Sequence, residues 1–340
     1  MRDTASLGRT RAMLVTALGD EIVAALEDPS VVEIMINPDG RLWVERHGSG
    51  RTETGLMPTA DTERVIRLVA SHMGRRADAA SPIVSAELPM GGERFEGVLP
   101  PVSPGPCFSI RKPAGRVISL DTYVSSGVMA AHHAEALRRA VLERENILVV
   151  GGTGSGKTTL ANALLAEIAR TGDRLVILED TRELVSAAAD SVQLRTQPGS
   201  VSPADLVRST LRLRPDRIII GEVRGAEALD MLKAWNTGHP GGIATLHANS
   251  ALGGLSRLEQ LIGETSAQVP HDLIAETIDC VVYISRRAGR HRVETVARLN
   301  GLGRGGYDLT PVQPDLQLVL PSLPFSEPLL SIAPERTPPQ

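Results

Sequence analysis

The sequence predicts an α/β protein in which an α+β N-terminal domain precedes a domain with a mainly parallel sheet. In residues 146–262, short apolar strands alternate with helical patterns, which is typical of βαβ units. Residues 1–112 instead mix helical patterns with short strands that proline and glycine interrupt. We place a linker at 113–130, the parallel-sheet domain at 131–300, and an irregular, proline-rich tail at 301–340.

The N-terminal domain begins with a helical pattern over residues 1–28. A hairpin follows, because the strands VVEIMIN and RLWVER flank the turn residues Pro38, Asp39 and Gly40. Helical spacing returns at residues 61–73, and the segments RFEGVLP and CFSIRK predict further strands. These elements make the first part of the chain α+β.

The second domain opens with the apolar strand NILVV, a glycine-rich loop and a helix over 157–170. The apolar segments RLVILED, RIIIGE and GIATLH predict three further strands. Each is followed by a helical pattern, at 203–213, 225–235 and 251–262. This order predicts a parallel sheet.

Composition excludes several classes of protein. The chain is 42% hydrophobic and 22% charged, and it has no apolar run near the about 18 residues of a transmembrane helix. Its N-terminus lacks the apolar centre of a secretory signal. Its two cysteines, Cys107 and Cys280, cannot build a disulfide framework or a four-cysteine zinc site. The net charge of −4 gives no overall attraction to nucleic acid. We therefore expect a cytoplasmic protein.

Residues 151–158, GGTGSGKT, fit the phosphate-loop pattern between a predicted strand and a predicted helix. Glycines let backbone amides surround phosphate oxygens, and the helix adds its positive N-terminal end. Lys157 is placed for the β- and γ-phosphates and Thr158 for Mg²⁺, although such a loop does not separate ATP from GTP. The predicted nucleotide-binding residues here are Gly151, Gly152, Thr153, Gly154, Ser155, Gly156, Lys157, Thr158 and Thr159.

Acidic residues end two further strands, where an α/β sheet binds its ligand. Glu179 and Glu183 lie in RLVILEDTRE, and Glu222 lies in RIIIGEVRG. Hydrolysis needs one carboxylate to activate water and another to hold Mg²⁺. We predict Glu222 as the general base and a metal ligand, with Glu179 as the alternative base. We interpret Glu183 and Glu227 mainly as solvated acids at helix starts.

A histidine ends a third strand, because the segment GIATLHANS places His247 beside the two acidic strand ends. A hydrogen bond from His247 to the γ-phosphate would report hydrolysis to the helix that follows. We therefore include His247 among the catalytic residues.

Four segments, in this order, resemble the boxes of the secretion traffic ATPases. GGTGSGKTTL resembles the Walker A box, LEDTRE the Asp box, LRLRPDRIIIGEVRG the Walker B box and GHPGGIATLHANS the His box. The segments EIMINPDGRLWVE, GERFEGVLPPV and WNTGHPGG resemble the type IV secretion branch of this secretion NTPase superfamily, in particular the TrbB-type conjugal transfer ATPases. The resemblance covers roughly residues 10–300.

The resemblance implies a homo-hexameric ring whose subunits carry an N-terminal domain on a RecA-like P-loop domain, with ATP and Mg²⁺ bound between them. It implies that His247 acts as a sensor. It also implies docking on inner-membrane components of a secretion or conjugation channel, at the cytoplasmic face. Peripheral membrane association is compatible with this, and we expect no sequence-specific binding of nucleic acid.

By the same resemblance, two arginines of the N-terminal domain reach the γ-phosphate. They are Arg94 in GERFEG and Arg111 in FSIRKP, and a guanidinium neutralises transition-state phosphoryl oxygens. Arg212 and Arg214 in LRLRPDR resemble a basic pair near the nucleotide. We accordingly include Arg212 among the nucleotide-binding residues.

The alternatives are separated by specific features. WNTGHPGG and the N-terminal segments favour an ATPase of conjugative type IV secretion over a type II secretion or pilus assembly or retraction motor. A motor that itself grips DNA needs a basic channel with aromatic side chains, whereas only 2% of the residues are aromatic. The intact lysine, threonine and acidic boxes argue against an inactive nucleotide-binding scaffold.

Overall fold

A computed structural model describes residues 4–46, 48–113, 117–197 and 199–314 of the chain. The helices in these ranges are α1 (Thr4–Glu27), α2 (Thr59–His72), α3 (Leu120–Ser125), α4 (Ala131–Leu142), α5 (Lys157–Ile168), α6 (Pro203–Thr210), α7 (Glu227–Asn236), α8 (Ala251–Gly263) and α9 (His271–Thr277). The strands are β1 (Val31–Ile36), β2 (Arg41–Arg46), β3 (Gly50–Leu56), β4 (Ile83–Glu87), β5 (Arg94–Val98), β6 (Cys107–Arg111), β7 (Ile147–Gly151), β8 (Leu175–Glu179), β9 (Ser191–Arg195), β10 (Arg217–Ile220), β11 (Ile243–His247), β12 (Cys280–Arg287), β13 (Arg290–Gly303) and β14 (Gly306–Pro311). Within the described residues, each helix is too short or too polar to cross a membrane.

The described strands form two sheets. The first is antiparallel, with the order β3-β2-β1-β6-β5-β4. The second has the order β14-β13-β12-β7-β11-β10-β8-β9, and its strands are parallel from β12 to β9. The predicted fold class, an α+β part followed by a mainly parallel sheet, is confirmed.

The first sheet buries one face against α1 and α2. Alternate residues along its strands, such as Ile34, Val44, Phe95 and Ile110, are almost fully buried in this core. Side chains of a strand alternate between the two faces. Arg94 and its neighbours in register therefore lie on the opposite face, which is turned toward the second sheet.

The second sheet is covered on both faces. Every residue of β7 and β8 is buried, as expected for strands that lie between two helical layers. Ile147 and Val149 pack in the layer of α4 and α5, whereas Leu148 and Val150 pack in the layer of α7 and α8. The carboxyl ends of β7, β8, β10 and β11 consequently meet at one exposed edge.

The prediction of an irregular tail is wrong for its first part. The hairpin β13–β14 continues through residues 301–311, and a turn at Arg304 and Gly305 lets Tyr307 and Leu309 pack against the second sheet's core. The rest of that prediction, residues 315–340, lies outside the described residues. The segment predicted as a linker contains the short helix α3, which Ser119 caps by accepting a hydrogen bond from the Thr122 amide.

A buried ion pair ties the amino ends of the second sheet together. Arg217, only 1% exposed, donates from Nε to Asp173 Oδ2 at 2.6 Å and from Nη2 to the Val141 carbonyl at 2.9 Å. Burial acts to raise the pKa of Asp173, but hydrogen bonds from Thr171 and Arg217 and the charge of Arg144 bring that pKa below its usual value. The pair is therefore ionised at neutral pH.

We expect Asp173→Asn to lower the free energy of unfolding by about 3 kcal/mol, because it leaves the Arg217 charge buried without a counterion. Urea unfolding at pH 7 measures this loss. The folded pKa of Asp173 is depressed, so the stabilisation is present above the unfolded pKa near 3.8 and disappears as pH falls through the folded pKa. Asp190→Asn is the control, since its pair with Arg174 is exposed and contributes less than about 1 kcal/mol. Equal losses in both variants would contradict the prediction.

Candidate active site

A cleft of about 290 Å³ lies where the carboxyl edge of the second sheet faces the first sheet. Both sheets contribute to its wall, which combines backbone amides, hydroxyls, acids and arginines. The lining residues are Arg94, Arg111, Thr153, Gly154, Ser155, Gly156, Lys157, Thr158, Thr159, Glu179, Asp180, Thr181, Glu183, Gly221, Glu222, Arg224, Thr245 and His247. Most of the residues predicted from the sequence therefore meet in one place.

The loop between β7 and α5 has the shape of an anion site. Gly154 and Gly156 have φ angles of +66° and +97°, in the left-handed region that favours glycine. Helix α5 begins directly after the second of them, at Lys157. The first amides of a helix have no intrahelical partner and carry partial positive charge, so they are available to phosphate oxygens.

The Lys157 ammonium is held by groups of its own chain. Its Nζ donates to the carbonyls of Gly151 and Gly152, at 3.1 Å each, and lies 3.4 Å from His247 Nδ1. Burial lowers the pKa of Lys157, and the Arg111 charge lowers it further, whereas the Glu222 carboxylate raises it. The two glycines thus contact the lysine rather than the cleft itself.

Glu222 lies between two partners. Its Oε1 is 2.5 Å from His247 Nε2, and its Oε2 accepts from Arg224 Nε at 2.5 Å. Arg224 also donates to Asp180 Oδ2 at 3.3 Å, which links the ends of β10 and β8. Sequence reasoning missed Arg224, although its place two residues after Glu222 was a usable signal. A water that reaches Glu222 shares these oxygens with His247 and Arg224.

His247 connects Lys157 to Glu222. Burial and the Lys157 charge lower the pKa of His247, although Glu222 opposes this, so the ring is neutral at pH 7. A neutral ring has one donor and one acceptor nitrogen, and its partners assign them. Nε2–H donates to Glu222, and Nδ1 accepts from the lysine.

Glu179 and Glu183 both line the cleft, and both carboxylates have partners within the protein. Glu179 is 6% exposed, and its Oε1 accepts from the amides of Glu183 and Leu184 at 2.8 and 2.7 Å. Burial raises the pKa of Glu179, while these amides lower it. The interpretation of Glu183 as a solvated acid at a helix start is wrong. No helix begins within the described part of this segment, and Glu183 Oε2 accepts from Thr158 Oγ1 at 3.2 Å.

The acid Glu227 is likewise not solvated. It is 4% exposed, and its Oε1 accepts from the amides of Arg224 and Gly225 at 2.6 and 3.0 Å. It therefore fixes the start of α7 and does not face the cleft.

The predicted arginines separate into two groups. Arg94 and Arg111 reach the cleft from the first sheet, and Arg94 Nη1 lies 3.6 Å from Glu183 Oε1. The structure does not bring Arg212 there, because α6 carries the chain back to the amino edge of the sheet before this residue. The neighbouring Leu213 carbonyl accepts from Arg174 Nε at 3.1 Å, directly before β8. Within one subunit, Arg212 lies at the edge opposite the cleft.

The donor set fits Mg²⁺ that arrives with a nucleotide. Thr158, Glu183 and Glu222 offer the hard oxygen ligands that Mg²⁺ prefers. Among the described residues, no group of three or more His, Cys, Asp or Glu side chains is arranged to hold a metal ion. Mg²⁺ commonly takes one or two protein ligands, with phosphate oxygens and waters completing the shell.

Comparisons with known proteins cover nearly the whole described chain. A family model described as "Type II/IV secretion system protein" matches residues 16–299. The conjugal transfer protein TrbB of Rhizobium radiobacter is 53% identical over 296 residues, which are 86% of this chain and 91% of that protein. The type IV secretion system protein VirB11 of Bartonella quintana is 32% identical over 334 residues, covering 84% of this chain and 93% of that protein. The X-ray structure of the Legionella pneumophila ATPase DotB shares the fold, with a TM-score of 0.59 at 20% identity, covering 80% of this chain and 78% of that one.

Proposed function

The chain belongs to the family of type II/IV secretion system proteins, and on this premise we propose that it hydrolyses ATP in a hexameric ring that powers a conjugative type IV secretion system. One observation carries the proposal. A phosphate loop with its lysine, two strand-end acids with a histidine, and two arginines from the other sheet converge on one cleft. The high identity to a conjugal transfer protein supports the conjugative branch.

In this proposal the first sheet and the second sheet bind the triphosphate from opposite sides. The amides of residues 153–159 bind phosphate oxygens, and Lys157 exchanges its two carbonyl partners for the β- and γ-phosphates. Arg94 and Arg111 neutralise charge that develops on the transferred phosphoryl group. Mg²⁺, when bound by Thr158 with Glu183 or Glu222, supplies positive charge to the phosphate oxygens.

Glu222 is the proposed general base. The neutral His247 orients its carboxylate through Oε1, so the other oxygen accepts a proton from the attacking water once Arg224 releases it. Arg224 then keeps Asp180 as its partner. Loss of the γ-phosphate removes the ligand shared by Arg94, Arg111 and the loop, which loosens the two sheets and provides a mechanical step.

We place the ring at the cytoplasmic face of the inner membrane, where it docks on channel components. In this proposal the N-terminal domain (1–112) covers the nucleotide, the linker (113–130) connects the domains, and the P-loop domain (131–300) carries out hydrolysis. The names of the relatives, conjugal transfer protein and type IV secretion system protein, support that setting.

The direct test combines mass and turnover. The purified full chain, with a subunit mass of 36.2 kDa, is analysed by light scattering with and without ATP and Mg²⁺, and phosphate release is measured on the same sample. We expect six subunits and steady phosphate release. A ring that releases no phosphate would refute the ATPase proposal. Strong stimulation by single-stranded DNA would favour a nucleic-acid motor instead.

We expect Glu183→Gln to raise the Mg²⁺ concentration for half-maximal phosphate release by about tenfold, since an amide is a poorer magnesium ligand than a carboxylate. A magnesium titration at saturating ATP measures this. The control is Glu135→Gln on the exposed face of α4. An unchanged magnesium requirement in Glu183→Gln would remove Glu183 from the metal site.

A further inference from the structure

Residues 182–185, here called the acid segment, follow β8 and carry Glu183 into the cleft. The segment has no helical or strand structure. Each of its four amides donates to a side chain. The four bonds are Arg182 N to Glu87 Oε1 at 3.2 Å, Glu183 N and Leu184 N to Glu179 Oε1 at 2.8 and 2.7 Å, and Val185 N to Asn162 Oδ1 at 2.8 Å. Side chains from elsewhere in the fold therefore set its position.

Glu87 differs from the other two acceptors because it belongs to the first sheet. It ends β4, and its second carboxylate oxygen pairs with the guanidinium of Arg195, which ends β9. Glu87 therefore joins the two sheets at the acid segment.

The same hairpin also contacts the side chain of Glu183. In the β4–β5 register, Glu87 lies directly opposite Arg94. Arg94 Nη1 is 3.6 Å from Glu183 Oε1, and Glu183 Oε2 accepts from Thr158 Oγ1 at 3.2 Å. One end of the β4–β5 hairpin thus contacts the acid segment twice. Glu87 accepts from its backbone, and Arg94 lies beside the Glu183 carboxylate.

We infer that Glu87 is a positioning residue, which makes the placement of Glu183 at the metal site depend on the seating of the first sheet against the second. This inference rests on the proposed function, in which Glu183 binds Mg²⁺. Without Glu87, the Arg182 amide and the Arg195 guanidinium turn to water, and the backbone of the acid segment gains freedom. If the Glu183 carboxylate moves by about 1 Å, it binds the metal ion less well and phosphate release slows.

The test uses the full chain with Glu87→Ala, Glu87→Gln and the control Glu96→Ala. Glu96 is exposed in the middle of the neighbouring strand β5. The first readout is hydrogen–deuterium exchange of peptides covering the acid segment, without nucleotide or metal. The second is Mn²⁺ binding, followed by electron paramagnetic resonance in the presence of the β,γ-imido analogue of ATP.

In Glu87→Ala we expect exchange of the acid segment to rise about tenfold and Mn²⁺ affinity to fall about tenfold. Glu87→Gln should lie between this variant and wild type, because its carbonyl oxygen still accepts from the Arg182 amide while the charge for Arg195 is lost. Glu96→Ala should match wild type in both readouts. If Glu87→Ala does not fold, the isosteric Glu87→Gln carries the test.

A double mutant separates positioning from a general loss of structure. If Glu87 acts through Glu183, adding Glu87→Ala to Glu183→Gln causes no further loss of Mn²⁺ affinity. Wild-type exchange of the acid segment in Glu87→Ala, or Mn²⁺ affinity equal to that of Glu96→Ala, would overturn the inference. Failure of the proposed function looks different, because wild type would then release no phosphate while exchange still responded to Glu87.

Discussion

We expect Lys157→Ala to lower kcat/KM for phosphate release by about a thousandfold. In the proposed site this ammonium binds the β- and γ-phosphates, and alanine leaves no cation in its place. The same change removes the hydrogen bonds to the Gly151 and Gly152 carbonyls, so the loop also loses its internal support. Nucleotide affinity therefore falls together with turnover.

The measurement is steady-state phosphate release together with equilibrium binding of a fluorescent ATP analogue. Lys233→Ala is the matched control, since Lys233 is an exposed lysine on α7, away from the cleft. Thermal unfolding of both variants shows whether the fold is retained. A folded Lys157→Ala protein with wild-type turnover would contradict the proposed role of Lys157 in phosphate binding.

Glu222→Gln should lower kcat by about a thousandfold and leave nucleotide affinity nearly unchanged. Glutamine has the size of glutamate, and its carbonyl oxygen still accepts a hydrogen bond, but it does not take up a proton from water. The effect therefore falls on the chemical step. Single-turnover phosphate release and analogue binding separate the two quantities.

Glu179→Gln is the informative comparison for this variant. The Glu179 carboxylate already accepts from two backbone amides, so we expect a loss of turnover many times smaller than in Glu222→Gln. The reverse order, with Glu179→Gln nearly inactive and Glu222→Gln active, would exchange the two roles.

The parallel sheet and the phosphate loop were predictable because their signals are local. A strand buried on both faces must be apolar throughout, and the glycines of the loop encode its conformation directly. The place of Glu183 was not predictable, because acceptors from three different elements fix it. Arg212 shows the limit of motif matching, since one matched segment places Glu222 in the cleft and, within one subunit, Arg212 at the opposite edge of the sheet.

The hairpin β12–β13 was missed for a different reason. Its strands carry many arginines, so the apolar alternation is interrupted near the turn. Ala288 and Gly289, with φ angles of +50° and +77°, form a two-residue turn between segments rich in valine. A short turn ending in glycine was a usable sequence signal.

Lys157, His247, Glu222 and Arg224 contact one another in sequence across the cleft. A triphosphate that enters the cleft has to replace some of these contacts, so part of its binding free energy is offset by their loss.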